Sequence, residues 1–222
     1  MKRFCGLLVI APMLLLCSPL AQAQNTASFG IGFGTNHDGP SGAGIDNANS
    51  ANALGSCDPN SGDIYCEATP GLNGFFLGIG GDGFISKRFG IGGEVSFMPA
   101  KGNYGPVLFR QTFYDVNAIF RPISTKHVEV KLMGGIGGAK TGLSFSESSC
   151  VGTVVCQSQT LPVGSANHFQ IHVGAGVEFP LSHSFFIRPQ FDVRYVPGLS
   201  DEFSSNLVPG GMLWIGFRTG GH

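Results

Sequence analysis

The chain contains 222 residues, of which 12% are charged and 35 are glycine. Charged residues are therefore about half as frequent as the roughly 25% of soluble globular domains, and glycine is about twice its usual roughly 7%. The 42% of hydrophobic residues exclude ordinary disorder, and the glycines lack the period of three of collagen. A formal net charge of −1 gives no electrostatic case for binding nucleic acid.

The first 23 residues have the pattern of a secretory signal peptide. Lys2 and Arg3 precede an apolar stretch from Leu7 to Leu16, and Ala21-Gln22-Ala23 matches a cleavage site. We expect the mature domain to comprise residues 24–222. No mature segment reaches 18 consecutive apolar residues, so we expect an exported chain without a helical anchor.

Eight later segments alternate apolar residues with polar or small ones, which is the period of β-strands. In the clearest, Phe169, Ile171 and Val173 share one face while Gln170 and His172 lie on the other. The predicted strands are 26–34, 71–84, 88–98, 106–121, 127–145, 167–180, 185–197 and 207–219. Connections after the second, fourth and sixth strands are short, whereas those at about 35–70, 99–105, 146–166 and 198–206 are longer. With an even number of strands, all long loops lie at one end and both termini at the other.

Four cysteines remain after removal of the signal peptide, and all lie in these longer loops. They allow three pairings. Their spacing favours Cys57–Cys66 and Cys150–Cys156 as disulfides in an oxidising compartment. A zinc site is the alternative, but the C-x₂-C pairs typical of such sites are missing.

The alternation is compatible with an apolar interior, as in soluble lipocalins, or with an apolar exterior facing lipid. The polar face combines isolated charges of both signs with many glycines, which suits a narrow lumen where charges must pair. Aromatic residues near the strand ends and strands of about ten residues match a bilayer span. We therefore predict an all-β fold, an eight-stranded antiparallel up-and-down transmembrane β-barrel. Its predicted lumen network comprises Glu94, Asp115, Glu129, Lys131, His172, Glu178, Arg188, Asp192 and Arg194.

The signal peptide, the eight strands, the alternating loop lengths and the closing strand Met212–Phe217 resemble the small outer-membrane β-barrels of the OmpA and OmpX type. The resemblance implies an outer-membrane location in a Gram-negative-type bacterium, with both termini periplasmic. It also implies contact with membrane lipid and insertion by the barrel-insertion machinery through the strand of Trp214 and Phe217. The family usually ends on an aromatic residue, whereas Arg218 to His222 follow here.

Three motifs suggest chemistry that we do not expect. The glycines of 78–83 match G-x-G-x-x-G, but a turn and a strand follow instead of the helix that a nucleotide site needs. Some outer-membrane barrels modify lipid A with a Ser–His pair, yet His183-Ser184 lies in a predicted periplasmic turn and His172 in the lumen. A calcium loop at Asp58, Asn60, Asp63 and Glu67 lacks a ligand because Gly62 occupies its place. We expect no catalytic residue, no metal and no cofactor.

The expected function is therefore non-enzymatic. We expect a monomeric structural or adhesion-type protein that contacts an unknown extracellular partner through its loops, above all the long first loop at about 35–70. Eight strands leave an interior that side chains fill, which argues against a general diffusion pore. A narrow solute channel, a lipid-modifying enzyme and a soluble lipocalin-like binder remain as alternatives.

Overall fold

The computed structural model describes residues 26–46, 56–62, 66–104, 107–151 and 155–219. Its strands are β1 (Ala27–Asp38), β2 (Gly44–Asp46), β3 (Ser56–Cys57), β4 (Cys66–Ala68), β5 (Leu72–Phe84), β6 (Phe89–Phe97), β7 (Gly102–Tyr104), β8 (Val107–Ser124), β9 (Glu129–Val151), β10 (Val155–Pro180), β11 (Phe185–Tyr195) and β12 (Leu207–Thr219). Among these residues, no helix is long and apolar enough to cross a membrane. The signal peptide predicted for residues 1–23 lies outside the described residues.

Eight long strands close into an antiparallel barrel, as predicted. Each barrel strand pairs with two neighbours, and the pairing of β1 with β12 closes the ring. The barrel strands are β1, β5, β6, β8, β9, β10, β11 and β12. Closure leaves no unpaired barrel edge, which is the condition for a β-structure in lipid. The eight predicted strands correspond to these eight, and the bounds of β12 agree at both ends.

Short turns join β5 to β6, β8 to β9 and β10 to β11 at one end of the barrel. Each turn contains a hydroxyl that accepts a backbone N–H three residues later: Ser86 from Phe89 at 3.0 Å, Thr125 from Val128 at 3.0 Å and Ser182 from Phe185 at 3.1 Å. Ser and Thr favour turns because their hydroxyls replace a missing backbone partner. The short connections thus follow directly from local sequence.

The opposite end carries the long connections, and here the strands extend further than predicted. β1 continues to Asp38. The predicted loop at 146–166 is largely wrong, because β9 and β10 continue as one hairpin to Val151 and from Val155. The sequence of 146–160 is mostly polar at odd and even positions alike, so the alternation that marks a half-buried strand is absent although the backbone pairing continues.

The predicted first loop contains a small sheet in the order β3-β2-β4. A disulfide joins Cys57 to Cys66, with the two Cα atoms 5.9 Å apart. In the extended part of the β9–β10 hairpin, which we call the distal hairpin, the register sets Cys150 directly opposite Cys156. The side chains of this second pair lie outside the described residues, so their disulfide stays a prediction.

Candidate functional site

The barrel has the reverse of a soluble protein's distribution of polarity. Phe29 and Val116 on the outer wall are 59% and 67% exposed, whereas Lys131 and Asp192 inside are 1% and 0% exposed. An exposed apolar area of this extent is unfavourable in water, and buried charges require partners. The interior therefore holds the polar groups of the barrel, and the outer wall is a surface for lipid.

Ion pairs begin at the end of the interior near the short turns. Glu129 accepts hydrogen bonds from Arg121 at 3.0 Å and from Arg218 at 3.1 Å. Arg218 also lies 3.9 Å from Glu178, and the Arg121 guanidinium sits 4.0 Å above the Phe84 ring. Three strands, β8, β9 and β12, thus meet at one carboxylate.

Lys131 continues this group toward the barrel centre. Its ammonium donates to Glu178 at 2.7 Å and to Asp82 at 2.9 Å. Asp82 also accepts from Arg188 at 3.0 Å, and Arg188 reaches Glu94 at 3.3 Å. Each of these carboxylates has a cation within hydrogen-bonding distance, which offsets the cost of removing both charges from water.

A cluster of polar side chains around His172 occupies the centre of the barrel. Gln190 donates to Glu94 and to Asp192, each at 2.9 Å. Asp192 lies 2.9 Å from Nε2 of His172, whose Nδ1 lies 2.8 Å from the Asn117 side-chain oxygen. Both ring nitrogens face oxygen acceptors, an arrangement that a doubly protonated imidazole satisfies completely.

Arg194 completes the network on the side of the long loops. Its guanidinium donates to the Asn36 side-chain oxygen at 3.0 Å and lies 3.9 Å from Asp192 and 4.0 Å from Asp115. Asp115 in turn accepts from Asn117 and lies 3.5 Å from His172. Side chains from strands all round the barrel therefore form one continuous network.

The negatively and positively charged side chains of this network are nearly equal in number. The carboxylates are Asp82, Glu94, Asp115, Glu129, Glu178 and Asp192, and the permanent cations are Arg121, Lys131, Arg188, Arg194 and Arg218. A protonated His172 would supply a sixth positive charge and make the network neutral.

All nine residues predicted for the lumen lie inside the barrel, and each is at most 7% exposed. The structure adds Asp82, Arg121 and Arg218 to the ion pairs. The predicted strand 207–219 already includes Arg218, which the predicted lumen network omits, and the alternation of β12 continues to Thr219 and places Arg218 on the inner face. That continued alternation was the signal that could have found it.

An apolar plug fills the interior at the end of the long loops. It contains Leu72, Phe76, Met98, Val107, Phe109, Phe113, Ala139, Val196, Leu199, Phe203 and Val208, all buried. The loop between β11 and β12 supplies Leu199 and Phe203, and the Phe203 ring contacts Phe109 with centroids 5.7 Å apart. Hydrogen bonds fasten this loop to β1, because the hydroxyls of Ser204 and Ser205 both donate to Asp38. The plug therefore occupies the lumen at the long-loop end.

The glycine motif at 78–83 makes room for a large side chain. Trp214 is 1% exposed and points inward from β12. A Cβ atom at Gly78 or Gly80 would approach its indole ring within 2.9 or 3.1 Å. The glycines therefore serve packing, as expected, although the neighbour that they accommodate is mainly an aromatic ring rather than a charge.

The outer wall forms an apolar belt that ends in aromatic rings. Along β10, the exposed face runs from Phe169 to Phe179, ten residue steps. At about 3.3 Å per step and a tilt near 40°, this belt is about 25 Å tall, which matches the hydrocarbon layer that outer-membrane barrels span. Phe185 and Phe217 contact each other at one rim, with ring centroids 5.8 Å apart. Phe217 faces outward, whereas its strand neighbour Trp214 faces the lumen.

Residues 8–207 match the family of outer membrane protein beta-barrel domains. This chain belongs to that family. The fold, the outer-membrane assignment and the resemblance to the OmpA and OmpX type are thereby confirmed. No curated protein matches this outer-membrane barrel.

Solved structures of similar fold include three outer-membrane proteins. The attachment invasion locus protein Ail of Yersinia pestis, in complex with the heparin analogue sucrose octasulfate, is 15% identical with a TM-score of 0.50, covering 88% of this chain and 99% of Ail. Neisserial surface protein A is 10% identical with a TM-score of 0.52, covering 89% and 97%. A major outer membrane protein from Thermus thermophilus is 12% identical with a TM-score of 0.50, covering 87% and 99%. Identities this low indicate a shared fold only.

Proposed function

We propose that this barrel is a non-enzymatic surface protein that contacts an extracellular partner through the elements at its long-loop end. The supporting observation is the contrast between the two parts of the molecule. The lumen is filled by an ion-pair network and an apolar plug, whereas the β9–β10 hairpin extends far beyond the apolar belt. From Lys140 to Val151 the hairpin gains eleven residue steps, or about 35 Å.

The proposed orientation places the long loops outside the cell and both termini in the periplasm. Short turns at the periplasmic end and long loops at the extracellular end are the common pattern of outer-membrane barrels. The small disulfide-linked sheet of β2, β3 and β4 lies in one of these long connections, next to the Ser204–Asp38 fastening. A covalently stapled sheet suits exposure in an oxidising compartment.

A non-enzymatic role agrees with the placement of the histidines. Within the described residues, no hydrogen bond joins a serine hydroxyl to a histidine ring. His172 is fully buried and bonded on both nitrogens, and His168 faces Glu202 at 3.1 Å. Neither histidine stands beside a nucleophile that it would activate.

The experiment that tests this function compares adhesion before and after removal of the projecting elements. The full chain is displayed on a non-adherent Gram-negative strain, and binding to immobilised heparin and to matrix proteins is measured. One variant replaces residues 146–160 with a two-residue turn, and another replaces residues 42–68 with a short glycine linker. The variant with the shortened β9–β10 hairpin or the variant with the replaced first loop should lose most of the adhesion. Equal adhesion by both variants and the intact protein contradicts the proposal.

A narrow solute channel is the competing function, and the same protein tests it in planar bilayers. The closed lumen predicts no steady single-channel conductance. If stepwise conductance appears and changes in Arg188→Gln or Glu94→Gln, the ion pairs line an open path and the surface role loses its main support.

A further inference from the structure

A groove of about 500 Å³ on the outer wall gathers three cations near the rim of the apolar belt. Its lining includes Lys101 from the segment before β7, Arg110 on β8 and Lys140 on β9. We call these three residues the basic groove. Among the ion pairs of the described residues, none includes any of them.

Strand register fixes the height of the basic groove on the wall. Tyr114, Gly138 and Phe169 form one outward-facing row across β8, β9 and β10. Lys140 lies in the next outward row, paired with Thr112 and Asn167, and Arg110 lies one row further on, opposite Gly142. The cations therefore begin immediately beyond the aromatic end of the belt, at the depth of lipid headgroups.

Hydrogen bonds hold two of the three cations in place and leave donors available. Arg110 donates one guanidinium N–H to the Pro99 carbonyl at 3.1 Å, and Lys101 donates to the Ser144 hydroxyl at 2.9 Å. A guanidinium has five N–H donors and an ammonium three, so further acceptors can bind. A phosphate, with several anionic oxygens, is the group that such a set of donors recognises best.

An apolar groove of about 700 Å³ lies on the belt side of the cations and extends across β5, β6, β8, β9 and β10. Tyr114, Val116, Ile136 and Phe169 contribute to its lining. Its row of Tyr114 and Phe169 is directly adjacent to the row that contains Lys140. A charged site adjacent to an apolar groove matches an amphiphile better than a soluble anion, because one molecule can occupy both.

We propose that the basic groove binds the phosphorylated headgroup of an outer-leaflet lipid, with an acyl chain in the apolar groove below. This inference rests on the orientation given under the proposed function, which sets the basic groove at the outer leaflet. The bound lipid would hold the rim of the β8–β10 wall at a fixed depth in the membrane.

The test measures binding of defined lipids to the full chain folded in detergent, by native mass spectrometry. The probes are bisphosphorylated lipid A, its dephosphorylated form and inorganic phosphate. A groove variant carries Lys101→Gln, Arg110→Gln and Lys140→Gln. A matched control removes three cations at the opposite end through Lys87→Gln, Arg88→Gln and Lys126→Gln. Heat-dependent mobility on SDS gels confirms that each variant is folded.

The groove variant should bind bisphosphorylated lipid A at least about tenfold more weakly, since each basic residue at a membrane surface contributes appreciably. The control should retain the affinity of the intact protein for bisphosphorylated lipid A. The dephosphorylated lipid should bind weakly to the intact protein and to the groove variant alike. Gly142→Leu should also weaken binding without changing charge, because a Cβ there meets only the Arg110 carbonyl at 3.9 Å and the side chain fills open space.

Three results would overturn the proposal: unchanged binding by the groove variant, equal loss in the control, or displacement of the lipid by inorganic phosphate or sucrose octasulfate at similar concentration. The last result would assign the basic groove to a free anion. Because lipid binding in detergent depends on neither orientation nor adhesion, this test and the adhesion test fail separately.

Discussion

At the scale of single residues, burial of charge dominates the interior. Lys131 is 1% exposed and lies between two carboxylates. The stabilisation comes less from the ion pairs than from the absence of unpaired charge, because a buried pair roughly compensates its own desolvation whereas a lone buried charge does not. The sequence showed which face carries charge, but not which charges meet. Arg218 and Glu129 are 89 residues apart and come together only when the ring closes.

Lys131→Met should therefore destabilise the barrel by about 3 kcal/mol, because Asp82 and Glu178 lose their shared cation. The measurement is the urea midpoint of unfolding from lipid vesicles. Lys126→Met, in the exposed turn after β8, is the matched control and should leave the midpoint unchanged. Equal midpoints for the two variants would show that the pairs do not hold the interior together.

A pair of outward-facing glycines on β9 gives a second comparison. A Cβ at Gly138 would collide with the Tyr114 ring that covers it, whereas a Cβ at Gly134 meets only the His172 carbonyl at 4.0 Å. Gly138→Val should cost about 1–3 kcal/mol through overpacking, and Gly134→Val should be neutral or slightly stabilising, since Val favours strands. Urea unfolding distinguishes them, and a reversed order would mean that Tyr114 does not rest on Gly138.

At the scale of elements, the strands inside the belt were predictable and the parts outside it were not. Alternation marks β5 and β12 because one face meets lipid and the other meets the lumen. The distal parts of β9 and β10 lack that asymmetry, so their pairing left no trace in the pattern of hydrophobicity. The plug residues Leu199 and Phe203 lie in a loop without periodicity, and only the folded loop shows that they enter the barrel mouth.

The distal hairpin carries a prediction of its own. Because Cys150 and Cys156 are register partners, their disulfide would cross-link the hairpin near its tip. Peptide mapping of the unreduced, exported protein should find Cys150 linked to Cys156 in addition to Cys57 linked to Cys66. Free thiols at Cys150 and Cys156, or a link between the two loops, would refute the predicted pairing.

At the scale of the whole molecule, the few charges and many glycines fit a barrel whose apolar side chains face outward and whose charged side chains face the lumen. The described wall presents apolar side chains to lipid, and the charged side chains of the lumen pair with one another. Other cations lie at the two rims of the barrel. Glycine provides space for Trp214 inside and for the Tyr114 ring outside. These features make a membrane anchor with a filled interior, and in the proposed function recognition falls to the β9–β10 hairpin and the stapled sheet.

Orientation is testable on intact cells with a membrane-impermeant maleimide. Thr160→Cys on the distal hairpin should react in intact cells, because that hairpin projects from the cell in the proposed orientation. Lys126→Cys in a short turn should react only after the outer membrane is permeabilised. The opposite pattern would place the long loops in the periplasm and remove the basis for an adhesive role.

The central claim is that the apolar face of each strand meets lipid and the charged face is enclosed. Spin labels introduced one at a time at positions 169–179 of β10, in protein reconstituted into phosphatidylcholine vesicles, test it through collisions with dissolved oxygen. We predict high oxygen accessibility at the odd positions, from Phe169 to Phe179, and low accessibility at the even ones, including His172 and Glu178. Accessibility without a period of two, or highest at the even positions, would contradict the account.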